Sequence, residues 1–260
     1  MKFNIQNYPG SKGGNGTFQN IINHIPPHKV YCEPFLGGGA IYRYKLPAEL
    51  SILGDINAEV LNEFCNQYLE DDFCLLNKTS EYTYRSTDMK ELTRLFLGHY
   101  TETCESLSTH QDIFFYFDPP YVKSTRKSQD DIYGYEWNDQ DHTEFLEYVL
   151  KLNHKVMISC YDNFIYELYL DGWNKFTFTS MTRNGPAKET IYMNYPQPKE
   201  LHDYRYLGKN MTDRQRIQRK VNRHIKKLYH LPVLERNKVL HDLKNHFNLC
   251  GTNIISGVNI

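Results

Sequence analysis

Ile113-Phe114-Phe115-Tyr116-Phe117-Asp118-Pro119-Pro120-Tyr121 is the most informative stretch of the chain. Five consecutive apolar residues of strand-favouring type, stopping at an acid and two prolines, fit a strand buried on both faces whose carboxyl end opens into a stiff turn. Similar short runs recur on either side. Val30-Tyr31-Cys32 leads into Glu33-Pro34-Phe35-Leu36-Gly37-Gly38-Gly39, Ile52-Leu53 ends at Gly54-Asp55, and Val156-Met157-Ile158 follows downstream. Tyr82 to Ser86 alternates like a strand that ends near Asp88. Between these runs the spacing turns helical, with Val60, Leu61, Phe64 and Tyr68 on one face. Phe145, Leu146, Val149 and Leu150 repeat the pattern behind a cap at Asn138 or Asp139. Phe176-Thr177-Phe178 and Ile191-Tyr192-Met193 flank Arg183-Asn184-Gly185-Pro186 and read as a strand pair with a turn-rich connection. The alternation predicts a doubly wound α/β fold, mostly parallel with one reversed C-terminal strand, and ligands at the carboxyl ends of the strands.

After Pro196-Gln197-Pro198 the pattern changes to two helices, Thr212 to His230 and Val233 to Phe247, broken at Leu231-Pro232. We therefore expect a catalytic domain over 1–196 and a basic helical extension over 197–260. Net charge is −1, but the segment from Lys209 to His230 carries +7, leaving −8 for the rest. Such a split suits a dedicated anion-binding element on an acidic body. Arg216, Arg219, Lys220, Arg223 and Lys227 share one helical face, opposite Ile217, Val221, Ile225 and Leu228.

Hydrophobic residues at 40% and charged residues at 23% are ordinary for a globular chain. The N-terminus lacks a signal-peptide core, and no apolar run is long enough to span a bilayer. The six cysteines are scattered without a Cys-x-x-Cys pair, which favours a reduced cytoplasmic setting over disulfides or zinc. His24 and His28 have metal-like spacing, but Pro26-Pro27 breaks any helix between them, and no metal is expected.

Asp118 to Tyr121 suits one chemistry well. An exocyclic amine on a nucleobase is a poor nucleophile, because its lone pair is conjugated into the ring. A carboxylate and a backbone carbonyl that accept its two hydrogens favour the tetrahedral nitrogen of the transition state. Asp118 and the carbonyl of Pro119 can do this, with Pro120 stiffening the turn. Tyr121 would stack on the extruded base. Flipping costs a few kcal/mol and stacking returns about 1–3 kcal/mol, so the terms are comparable.

Three further segments complete the set. The glycines after Glu33-Pro34-Phe35 allow close backbone approach at the first strand-to-helix turn. Asp55, 18 residues after Gly37, ends the next strand, where a carboxylate can accept both hydroxyls of a ribose. Tyr8-Pro9-Gly10-Ser11-Lys12-Gly13 puts a lysine on a glycine-rich turn, able to neutralise a carboxylate. It is not a phosphate-binding P-loop, since that spacing is absent.

Taken in order, these segments resemble the Dam-like DNA N6-adenine methyltransferases. The resemblance extends through Trp137-Asn138, Ile158-Ser159-Cys160 and Arg183-Asn184-Gly185, over roughly residues 5 to 196. It implies a Rossmann-like methyltransferase sheet with S-adenosyl-L-methionine as cofactor, bound by Tyr8, Lys12, Asp55 and Asp118, with Glu33, Pro34, Phe35, Gly37 and Gly39 in the site. It also implies catalysis by Asp118, Pro119, Pro120 and Tyr121, and double-stranded DNA as partner. Only 62 residues separate Asp55 from Asp118, too few for the large recognition insert usual in such enzymes. Lys123 and Arg126, Arg183, or Arg216, Arg219 and Arg223 are the candidate DNA contacts instead. Cytosine N4 methylation poses the same amine problem and stays open, as does a silent DNA-binding module. Cytosine C5 methylation is disfavoured because the chain has no Pro-Cys dipeptide. A partner restriction endonuclease is compatible with the sequence but not specified by it.

Overall fold

A computed structural model of the chain describes residues 5, 8–69, 74–75, 81–85, 92–126, 135–182 and 185–247. They form two compact units, residues 1–207 and 208–260.

The first unit is built on nine strands: β1 (Val30–Glu33), β2 (Leu50–Asp55), β3 (Cys74–Leu75), β4 (Glu81–Arg85), β5 (Leu92–Leu97), β6 (Ile113–Phe117), β7 (Lys155–Cys160), β8 (Asn174–Thr182) and β9 (Gly185–Met193). Their spatial order is β3-β4-β5-β2-β1-β6-β7-β9-β8. From β5 to β7 every pairing is parallel, and β9 runs against both β7 and β8. The reversed C-terminal strand is thus β9, inserted between β7 and β8. At the opposite edge β4 is also antiparallel, to both β3 and β5.

Every residue of β1, β2 and β6 is buried. Because side chains alternate, the central strands feed two cores. Phe115 and Phe117 face one that holds Phe145, Leu146 and Val149. Those three come from α5 (Asp139–Val149), and Tyr100 and Cys104 join from α4 (Tyr100–Glu105) and Tyr166 from α6 (Phe164–Tyr169). Phe114 and Tyr116 face the other. It is closed by Ile21 and Ile22 of α1 (Thr17–Ile22), Ile41 of α2 (Ala40–Tyr44), and Val60, Leu61 and Phe64 of α3 (Ala58–Tyr68). The chain winds one way after β1 and the other way after β6, so the switch point lies between these two neighbours. A crevice opens there at the carboxyl ends.

The strand expected over Tyr82–Ser86 is β4, but β5, which pairs with β2 in the parallel sheet, was not anticipated. The Asn138 cap is present: its side chain accepts from the N–H groups of Gln140 and Asp141, while Asp141 accepts from Asn138. β8 and β9 are longer than expected, and their register pairs Thr182 with Gly185, leaving a two-residue connection. Residues past 196 still bond to the first unit. The His202 N–H donates to the Ile25 carbonyl, and Arg205 Nη2 to the Tyr44 carbonyl at 2.7 Å.

The second unit contains α7 (Met211–Tyr229) and α8 (Val233–His246), within a residue of the expected bounds. Asn210 caps α7 by accepting from the Asp213 N–H, and Lys226 and Lys227 lie in its last turn, where the helix dipole favours cations. Neither helix contains a buried residue.

Candidate active site

The crevice at the switch point is a cavity of about 940 Å³, including its open mouth. Tyr8, Lys12, Glu33, Pro34, Phe35, Gly37, Gly39, Asp55 and Asp118 all line it, together with Pro119 and Pro120. Four segments far apart in sequence therefore meet because β2, β1 and β6 are adjacent.

The floor is laced together by backbone and carboxylate. The Leu36 N–H donates to the Gly54 carbonyl at 2.8 Å, and the Gly37 N–H donates to Asp55 Oδ2 at 2.9 Å. Asp55 Oδ1 accepts from the Asn57 N–H at 2.9 Å, and Asn57 in turn caps α3. Burial pushes the Asp55 pKa up to about 6, against the pull of the Asn57 and Gly37 N–H groups. Gly37 takes φ of 47°, and a Cβ there would lie 2.7 Å from the Tyr8 ring. Gly39 takes φ of 58°, and a Cβ there would run into the Phe64 ring. The first glycine lets Tyr8 close over the loop, and the second lets the loop settle on α3.

Glu33 is buried, accepts from the Tyr31 hydroxyl at 2.9 Å and the Tyr42 N–H at 3.2 Å, and is pushed up to about 8 by burial. Its carboxyl group is engaged in fixing the turn into α2. One wall is aromatic: Phe35 lies 5.4 Å from both Tyr100 and Trp137, ring centre to ring centre.

At the carboxyl end of β6, Lys12 Nζ donates to both oxygens of Asp118 at 2.7 Å and to the Gly10 carbonyl at 2.9 Å. The same ammonium lies 4.8 Å from the centre of the Tyr121 ring. Ser159 of β7 donates to Asp118 Oδ1 at 3.1 Å, which leaves the Tyr116 hydroxyl to donate to Ser159 Oγ at 2.7 Å. Tyr121 is buried, edge-on to Tyr161 with centroids 4.6 Å apart, and its hydroxyl donates to Glu189 of β9.

The candidate DNA contacts are dispersed. Lys123 lies partly exposed in a 3-10 turn just past Tyr121. Arg126 departs from expectation: it is buried and forms a two-pronged ion pair with Glu136, at 3.1 and 2.7 Å. Arg183 lies outside the described residues. Arg216, Arg219 and Arg223 are exposed on α7, with Arg216 bonded to Asp213 one turn earlier.

Sequence reading missed Gly98, His99 and Tyr100, which line the cavity from the turn after β5, and it missed Glu189. The apolar run into Gly98 was the available signal for the former. Glu189 had none, since its partner is 68 residues away. Among the described residues no cluster of three or more His, Cys, Asp or Glu could hold a metal.

The profile of a family described as D12 class N6 adenine-specific DNA methyltransferase matches residues 8–103 and 78–184, more than half of the chain. No curated protein matches. Among solved structures, an rRNA methylase from Streptococcus thermophilus is similar at 12% identity and a TM-score of 0.39, over 68% of this chain and 92% of that one. A precorrin 8w decarboxylase from Methanobacterium thermoautotrophicum is similar at 11% identity and a TM-score of 0.40, over 75% and 96%. M. capricolum TrmK in complex with S-adenosyl-homocysteine gives 8%, 0.35, 89% and 96%.

Proposed function

The chain belongs to the D12 class N6 adenine-specific DNA methyltransferase family, and from that premise we propose how its residues divide the work. The reaction itself follows from the family: methylation of adenine N6 in DNA, with S-adenosylmethionine as methyl donor. Nothing favours the cytosine N4 or silent-module alternatives.

The cofactor supplies an electrophilic methyl group on a sulfonium. The lined cavity fits it. Asp55, held by two backbone N–H groups, keeps lone pairs for the ribose hydroxyls. The Phe35, Tyr100 and Trp137 wall suits a purine ring, and Lys12 suits the carboxylate. Gly37 and Gly39 let Tyr8 and Phe64 pack against the loop that floors the cavity.

We assign Asp118 and the Pro119 carbonyl as acceptors for the two hydrogens of the target amine. The carrying observation is the Lys12 ammonium, a nitrogen donor already bonded to both Asp118 oxygens and set against the Tyr121 ring. An amine on a stacked base asks for the same acceptors and the same ring. On entry it would take over at least one Asp118 oxygen, freeing Lys12 to turn toward the cofactor carboxylate. Ser159 stays on Oδ1 and keeps the carboxylate oriented. Tyr121 would carry the flipped base, and no covalent enzyme intermediate is formed.

For DNA, we propose the double-stranded form, with phosphates met by Lys123, Arg183 and the α7 arginines Arg216, Arg219 and Arg223. Arg126, buried and paired with Glu136, is left out of this scheme. The proposed DNA-contacting element is the basic extension over 197–260, attached to a catalytic domain over 1–196. No helix among the described residues is long and apolar enough to cross a membrane, and we place the protein in the cytoplasm with its substrate. A restriction endonuclease sharing the recognition site is the partner such a modification would serve.

The test is to place 2-aminopurine at the target position and follow fluorescence and methylation together. Tyr121→Ala should weaken the flipping signal and the rate, and unchanged values for both would remove the stacking role. Mapping methylated bases in DNA from expressing cells gives the recognition site.

A further inference from the structure

Glu189 lies in β9, opposite Phe178 of β8 and one position beyond the Thr190–Cys160 pair. It is therefore level with the carboxyl end of β7, on the side of the sheet where Asp118 leaves β6. The residue is 3% exposed. A carboxylate in such a position costs free energy unless a donor satisfies it. Burial pushes its pKa up to about 7, while the nearby Lys12 ammonium and the Tyr121 hydroxyl pull it down. An apolar side chain would fill the same volume at lower cost, so a polar acceptor here calls for a reason beyond packing.

The hydrogen bond it makes supplies one. The Tyr121 hydroxyl donates to Glu189 Oε1, across from the Asp-Pro-Pro turn that carries the proposed amine acceptors. Tyr161 meets the Tyr121 ring edge-on at 69°, and Lys12 sits over it. A tyrosine ring held at Cα alone can swing about two side-chain torsions. Held also at its hydroxyl, by a residue on a rigid strand, it keeps one direction, and the edge-on Tyr161 ring then sets its plane.

We propose that Glu189 is a positioning residue for methyl transfer, anchoring the Tyr121 ring in place through its hydroxyl so that the flipped adenine meets a pre-set platform. The proposal rests on the reading of Tyr121 as that platform. Glu189 touches neither the base nor the cofactor in this role, and its effect passes wholly through the phenol oxygen.

The experiment compares Glu189→Gln, Glu189→Ala, Tyr121→Phe and the double variant Glu189→Ala/Tyr121→Phe. Single-turnover methylation, 2-aminopurine fluorescence and cofactor affinity are measured for each. A glutamine oxygen still accepts the hydroxyl, so Glu189→Gln should stay within about twofold of the parent rate, as expected when the hydrogen bond survives. Glu189→Ala and Tyr121→Phe should each lose about tenfold in rate, the scale of one hydrogen bond to a charged group. Flipping fluorescence should change with the rate, and cofactor affinity should not. The double variant should be no worse than the worse single one, because both remove the same hydrogen bond. Multiplying losses, or a parent-like Glu189→Ala or Tyr121→Phe, would overturn the proposal. If Glu189→Ala does not fold, Tyr121→Phe, which removes one oxygen only, decides the matter alone. Impaired Tyr121→Ala beside parent-like Tyr121→Phe sinks the role of Glu189 and spares the platform. Parent-like Tyr121→Ala sinks both.

Discussion

Lys12 grips Asp118 through both carboxylate oxygens at 2.7 Å, although they lie 106 positions apart in the chain. The pair is largely buried, with side chains 6% and 18% exposed, so it forms where charges interact strongly and water competes little. The lysine expected to serve the cofactor is thus bonded to the carboxylate expected to serve both the cofactor and the substrate amine.

Their substitutions should separate cleanly. Asp118→Ala should lower kcat by about 10²–10³ or more, as loss of a preorganised acceptor does. Lys12→Ala should weaken cofactor binding about ten- to a hundredfold, the range for one charge-assisted hydrogen bond. Calorimetry with S-adenosylmethionine and single-turnover assays check both. Unchanged cofactor affinity in Lys12→Ala would confine the lysine to holding Asp118.

Asp55 gives a pH dependence of definite sign. Its pKa is raised to about 6 by burial, so the folded chain holds this proton longer than the unfolded one. The group's contribution to stability is complete below the ordinary aspartate value and is lost as pH rises through about 6. Asp55→Asn should therefore be more stable than the parent at pH 8, by on the order of 2 kcal/mol, with the gap closing near pH 4. Cofactor affinity should move oppositely, improving through pH 6 in the parent and staying weak and flat in the variant. Denaturation and binding titrations at the two pH values test both halves, and a parent-like affinity in Asp55→Asn would remove it from the site.

Cysteine chemistry should be dispensable. Cys32, Cys104 and Cys160 are buried, Cys65 is half-buried, and none lines the cavity. Burial raises the thiol pKa of Cys32, Cys65 and Cys160, which disfavours the nucleophilic thiolate. Each folded Cys→Ser variant should keep turnover within a few-fold of the parent. A folded single variant without activity would count against direct transfer.

Arg216, Arg219 and Arg223 form the test of the second unit. Changing all three to Gln should weaken binding to every DNA sequence and lower the slope of log K against log[salt] by about 0.9 for each phosphate that is no longer neutralised. The Arg216–Asp213 pair is exposed, so breaking it should cost little stability. Cofactor affinity should not change. Relaxed sequence preference at nearly constant affinity would instead mean that the arginines read bases. A lower melting temperature with an unaltered salt slope would make α7 structural.

The strand ends and glycine turns were legible in the sequence because each is local. Phe117-Asp118-Pro119-Pro120, Leu53-Gly54-Asp55 and Cys32-Glu33 through Gly39 each carry their apolar run, their break and their functional group within a few residues. The amphipathic spacing of α3, α5 and α7 was legible for the same reason. β5 was less so: Thr93 is buried on one face, held 2.9 Å from the Tyr42 hydroxyl, and Arg94 is half-buried on the other, so each face carries a polar residue that interrupts the apolar pattern. Sequence spacing separated Lys12 from Asp118, gave Arg126 no reason to be buried, and left Glu189 unremarked. Only the sheet order brings these groups together, by seating β6 between β1 and β7 and turning β9 back beside β7. Those neighbours are chosen by packing across the whole domain, which no short window of sequence contains.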